Sequence, residues 1–205
     1  HGLHTGYAAW LDVRSMYPSI IANDNVCPSR PKHEFNVKRR AKETSAVNTA
    51  PKSDTPFVLP TIMKRLLALR RDLKAQMLLN TSFLVQSGEW RRLQTSELAV
   101  KSLSNQIYGL FGSRYFRFKH KDLAEYIAQR GRELLKTMQH VIESSNLGLH
   151  IIYGHTDSLM VAPNPTKGVV PNFEAFQHLL KQCLQNFESN LGLKDFHIKI
   201  DGHFQ

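Results

Sequence analysis

Strand-like segments stand at the two ends of this chain, and most of what lies between the first and the second reads as helix. YAAWLDV at 7–13 has the apolar, β-branched and aromatic content of a short buried strand ending at Asp12. The next strand signals come only at HIIYG, 150–154, and SLMVA, 158–162, set around a tight turn. FHIKID at 196–201 then alternates as a strand does. Strands this far apart share one sheet only if the intervening helical run projects from it as an insertion. The expected class is therefore α+β: an antiparallel sheet with helices on one face, carrying a helical protrusion.

The helical run divides naturally. YPSIIAND at 17–24 reads as a short helix. Residues 28–56 are proline-rich and basic, with KRRAK at 38–42, and read as a loop. From Leu59 the pattern becomes helical, with Pro60 suited to a first turn and Ile62, Leu66, Leu69, Leu73, Met77 and Leu78 recurring along one stripe. Ser87-Gly88 interrupts it. A second helix follows over about 89–110 and ends near Gly109 and Gly112, so the pair forms an antiparallel hairpin. A third helix spans about 121–145, with Leu123, Ile127, Leu134, Leu135, Met138, Val141 and Ile142 on one side. A fourth covers about 172–191.

Charge limits the partners. Lys and Arg number 27 against 17 Asp and Glu, a net +10 on 205 residues, which favours a polyanion, most often nucleic acid. No apolar run approaches the ~18–20 residues of a membrane span. Cys27 and Cys183 are the only cysteines and form no CxxC pair, which argues against structural zinc and fits a reducing compartment. The chain opens on His1 without a secretory signal and closes inside a strand, so both ends read as cut from something longer.

Three short segments carry residues suited to chemistry. In DVRSMYPSII, 12–21, Asp12 ends a strand at a tight turn; a carboxylate there can hold a divalent ion while backbone N–H groups face phosphate, or simply cap a helix. In KSLSNQIYG, 101–109, Lys101, Asn105 and Tyr108 share one helical face, as do Arg70 and Lys74 on the preceding helix. Across a hairpin these cations can clamp a phosphate; as single helices they are ordinary solvated faces. In YGHTDS, 153–158, Asp157 follows a hairpin turn, and facing Asp12 it would complete a site for two ions about 4 Å apart. His155, Thr156 and Asp157 are also good turn formers in their own right.

In this order the segments resemble the three polymerase motifs of family-B DNA polymerases. DVRSMYPSII is similar to DxxSLYPSI with Met16 for Leu, KSLSNQIYG to KxxxNSxYG with Gln106 for Ser, and YGHTDS to YGDTDS. VLPTIMKRLLALRRDLKAQM at 58–77 is similar to that family's first fingers helix. The resemblance implies a polymerase palm at 1–57 and 113–205, with a fingers helical hairpin at 58–112 inserted in it and the exonuclease and thumb absent from this chain. It implies template-directed DNA synthesis with two Mg2+ ions, or Mn2+, held by Asp12, Asp157 and the Val13 backbone, with His155 as a further candidate ligand. Val13, Ser15, Met16 and Tyr17 would lie under the incoming dNTP, with Tyr17 excluding a 2′-hydroxyl. Arg70, Lys74 and Lys101 would bind the triphosphate, and Lys101 would also protonate the leaving pyrophosphate. Asn105 and Tyr108 would line the base-pair pocket. Gly109, Tyr153, Gly154 and Thr156 would lie against primer–template DNA. The implied partners are the remaining polymerase chain and a processivity clamp, in an intracellular setting with no membrane.

His155 departs from the family pattern, standing where its first hairpin Asp is usual. Mg2+ prefers oxygen ligands, and imidazole is a poor substitute. Either that position is peripheral and Asp12 with Asp157 suffice, or the site is a weakened, DNA-binding remnant. The first reading is preferred, because the other motif residues are intact. Asp201, near the end of the last strand, is a weaker acidic candidate. A reverse transcriptase or RNA polymerase is disfavoured by the YGHTDS tip and by Tyr17, and a generic basic DNA-binding domain predicts no metal dependence.

Overall fold

The computed structural model describes residues 7–30, 35, 57–79, 88–145, 147–164, 173–191 and 197–204, with the side chains of 186, 188–191 and 201–204 excepted. Most of the expected 28–56 loop, including KRRAK, lies outside the described residues, as does the side chain of Asp201. The elements in order are β1 (Ala8–Val13), α1 (Met16–Asn23), α2 (Val58–Leu79), α3 (Gly88–Gly112), α4 (Lys121–Ser144), β2 (Leu149–His155), β3 (Ser158–Pro163), α5 (Phe173–Leu191) and β4 (Ile198–Phe204). They fall into two compact units, His1–Met16 with Arg130–Gln205, and Tyr17–Gln129.

The first unit is built on one antiparallel sheet of order β2-β3-β1-β4. β1 alternates between part-exposed and buried positions, so Ala9, Leu11 and Val13 face a core while Trp10 and Asp12 face away from it. Leu159 and Val161 of β3 are buried likewise, and so are Leu134, Met138 and Ile142 of α4 and Phe176, Leu180, Cys183 and Phe187 of α5. Tyr7, just before β1, stacks on Phe176 with ring centroids 6.4 Å apart. Two register shifts bend the sheet. Leu11 pairs Ile200 but Trp10 pairs Gly202, leaving Asp201 as the extra residue, and Ile152 is the extra residue of β2.

In the second unit α1 ends where Asn25 takes φ 52°, the left-handed conformation common after helix C-termini, and Val26 N–H donates to Ile21 O at 3.1 Å. Around it a small polar core forms. Tyr126 Oη donates to Asp24 Oδ2 at 2.8 Å, and Arg30 is buried with its guanidinium 5.4 Å from the Phe35 ring and 5.5 Å from that of Phe57. α2 and α3 pack against each other.

The stripe expected on α2 is displaced. Met63, Leu67 and Leu73 are buried, whereas Ile62, Leu69 and Leu78 are exposed, Leu69 by 46%. VLPTIMKRLLALRR carries apolar residues on nearly every face, so spacing alone leaves the choice of buried face open. The helix also starts two residues before Pro60, which is harmless because its missing N–H falls in the first turn, where none is needed.

Candidate active site

β1 and β3 run antiparallel, and their register decides what meets at the carboxylate end. Asp12 pairs Ser158, and Val13 N–H donates to the carbonyl oxygen of Asp157 at 3.0 Å. The turn carrying Asp157 is therefore tied directly to the strand end carrying Asp12. Both residues are half-buried. Each turn holds one non-glycine residue in the left-handed region, Ser15 at φ 50° and Thr156 at φ 41°. For β-branched Thr156 that conformation is locally disfavoured, so the hairpin pairing on either side must hold it. Thr156 Oγ1 also lies 3.2 Å from His155 Nδ1, and Ser158 Oγ donates to His155 O at 3.0 Å.

The sheet register adds a row that the sequence does not display. His155 pairs Ser158, Ser158 pairs Asp12, and Asp12 pairs Lys199. These four residues lie side by side across four strands, on one face. His155 is thus two strand spacings from Asp12, roughly 10 Å, while Lys199 is one spacing away on the other side. Among the described residues, no three His, Cys, Asp or Glu side chains are grouped closely enough to hold one ion. Tyr153 is exposed, with its ring edge-on to Trp10 at 5.8 Å. A Cβ on Gly154 would meet Leu159 Cδ2 at 3.1 Å, so the glycine there lets the β2–β3 pair close tightly.

The second unit carries the remaining candidates. Arg70 Nε donates to Glu97 Oε1 at 2.7 Å, and Lys74 Nζ is 3.6 Å from the same oxygen. Sequence reasoning passed over Glu97. Its signal was its place four residues before Lys101 on α3, which puts it on the same face. Burial would raise the Glu97 carboxyl, but the hydrogen bond and charge of Arg70, reinforced by Lys74, outweigh it and hold the group below the usual carboxylate range. Lys101 and Asn105 are exposed on the following turns. Tyr17 stacks on Tyr108 with centroids 4.2 Å apart and planes 21° from parallel, which joins α1 to α3. Val13, Ser15 and Met16 belong to the sheet unit. Gly109 is exposed, and nothing lies where its Cβ would be.

The profile of DNA polymerase family B matches residues 1–202. The chain belongs to that family. Among curated family-B relatives it is 34% identical to the DNA polymerase alpha catalytic subunit of Arabidopsis thaliana, over 78% of this chain and 10% of that protein. It is 30% identical to DNA polymerase 2 of Aeropyrum pernix, over 98% of this chain and 22% of that one. The family B DNA polymerase of Pyrobaculum calidifontis shares the fold, with a TM-score of 0.62 at 23% identity over 98% of this chain and 24% of that structure. This family-B chain thus spans a quarter or less of the length of these relatives.

Proposed function

We propose that this chain is the palm and fingers of a DNA polymerase that transfers nucleotides from dNTP to a primer 3′-hydroxyl on a DNA template. The observation that carries the reading is the β1–β3 pairing, which ties the Asp157 turn to the Asp12 strand end. The sheet unit acts as palm and the α2–α3 hairpin as fingers. Asp12 and Asp157, with the Val13 carbonyl, would supply an all-oxygen donor set suited to Mg2+, with Mn2+ as the alternative. When bound, such ions lower the barrier by activating the attacking hydroxyl and stabilising the leaving oxygen. The chain's own residues position and neutralise. Ser15, Met16 and the Val13 backbone bed the triphosphate, and Tyr17, fixed by its stack on Tyr108, takes the sugar edge. Arg70, Lys74 and Lys101 bring positive charge to the phosphates, Lys101 delivers the proton to pyrophosphate, and Asn105 lines the base-pair pocket. Gly109, Tyr153, Gly154 and Thr156 lie along the primer–template. The remaining polymerase chain and a processivity clamp complete the partners, within the cell.

His155 has a peripheral role in this reading, because Ser158 and one further strand spacing separate it from Asp12. One observation favours a weakened site instead: Lys199 is the register partner of Asp12 on its other side and sets a cation beside the metal position. Primer extension by the intact protein decides between them, first with magnesium and then with manganese. Extension that is lost in Asp12→Ala, and changed less than about ten-fold by His155→Asp, fits a working site in which His155 is tolerated. No extension with either metal despite primer–template binding, or a gain of orders of magnitude in His155→Asp, sinks that reading.

A further inference from the structure

In FHIKID the alternation that marks β4 sets Lys199 between Ile198 and Ile200. Ile198 pairs Val13 and Ile200 pairs Leu11, and both of those β1 residues are buried in the core. Lys199 therefore lies on the opposite face, where its register partner is Asp12. Residues directly opposite in an antiparallel pair have Cβ atoms about 5 Å apart. A lysine stem reaches across that gap easily, and Lys199 is exposed while Asp12 is half-buried. β4 is an edge strand, so among the described residues no further strand offers Lys199 a carboxylate on its other side.

This placement alters the charge of the site. Asp12 and Asp157 bring two negative charges, and Lys199 cancels half of them. A unit positive charge about 6 Å from a divalent ion weakens the binding of that ion about ten-fold, even at the dielectric constant of water. A lysine on an edge strand also has a blander use, which is to discourage pairing with another chain. That use accounts for the exposure of Lys199 but not for its position, because the exposed position of His197 on the same strand would serve it equally.

We propose that Lys199 is a resident counter-cation of Asp12, which a divalent ion must displace, and that it sets the metal affinity of the site. The proposal rests on the metal-site reading of Asp12 and Asp157. Without metal, the ammonium neutralises Asp12 and relieves its repulsion with Asp157. On metal binding the ammonium moves out to solvent, which its flexible stem and edge position allow. Lys199 thus lowers metal affinity without taking away a ligand.

The test is Mn2+ binding to the intact protein, followed by loss of the free-ion electron paramagnetic resonance signal. Asp12→Ala identifies the ions that belong to this site. Lys199→Met keeps the aliphatic stem and removes the charge. It should bind those ions roughly ten-fold more tightly, and the gain should shrink as KCl rises from about 50 to about 500 mM. Lys199→Glu should bind them more tightly still. Lys136→Met, which removes an exposed charge from α4, should leave Mn2+ affinity within about two-fold of the unaltered protein. Thermal unfolding gives a readout of opposite sign in the two states. Lys199→Met should melt lower than the unaltered protein without divalent ions, and should gain the larger rise in Tm on adding Mn2+. Equal Mn2+ affinity in Lys199→Met and the unaltered protein, with binding still lost in Asp12→Ala, would overturn this inference and leave the metal-site reading standing. An equal gain in Lys136→Met would overturn it too, by reducing Lys199 to one contributor to a general field. Mn2+ binding that Asp12→Ala leaves intact would sink both the inference and the metal-site reading.

Discussion

Glu97 shows how one carboxylate can set the state of several cations. Arg70 and Lys74 converge on its Oε1, so its charge holds both side chains along the α2–α3 seam. In the proposed reaction those cations belong to the triphosphate, which must outcompete Glu97 for them. Glu97→Gln should therefore lower KM for dNTP several-fold in steady-state extension while costing about 2 kcal/mol of stability. The stability has a defined pH dependence. The folded Glu97 carboxyl titrates below its ordinary value of 4.5, so its contribution is complete above that value and is lost as pH falls through the lower, folded one. Acid denaturation followed by circular dichroism should show the unaltered protein and Glu97→Gln converging as the pH is taken below 4.5 and through the lower, folded value. A constant gap would mean that the charge contributes nothing. Loss of the Tyr17–Tyr108 stack is a separate matter: Tyr17→Ala should raise ribonucleotide incorporation at least about ten-fold, measured against dNTP incorporation on the same primer.

At the scale of elements, α2 gives the sharpest test of packing. Met63→Ala removes a fully buried side chain and should cost about 3 kcal/mol, whereas Ile62→Ala, one position away and exposed, should cost under about 0.5 kcal/mol, both by urea denaturation. Equal costs would restore the face expected from spacing. This helix also shows where the sequence stops being legible. Periodicity located all the helices and strands described, because α4 and α5 each have one clear apolar side and β1 alternates. In α2 leucines occupy several faces, and only the partner helix selects among them. The same limit governs the site. Asp12, Asp157, Arg70 and Lys74 stand out as candidates by motif and spacing, but the nearness of Lys199 to Asp12 depends on strand register, and the contacts of Glu97 on how two helices face each other. Both are relations between distant segments, which local pattern does not encode.

Across the whole chain, the excess of 27 basic over 17 acidic residues acts as a field rather than as contacts. Primer–template affinity should fall roughly a hundred-fold or more between about 50 and 200 mM salt, read as a linear log–log plot, and a flat plot would detach the charge from DNA binding. The order of strands has a different consequence. β1 is interior to the sheet, yet both of its neighbours, β3 and β4, are made after all four of the first helices. On a ribosome adding about 5–20 residues each second, the YAAWLDV segment emerges and then waits on the order of ten seconds for a partner strand. During that interval its unpaired edge and apolar side chains are open to other nascent chains. Synthesis of this chain is therefore exposed to aggregation at β1, and slowing translation after β1 should lower the soluble yield.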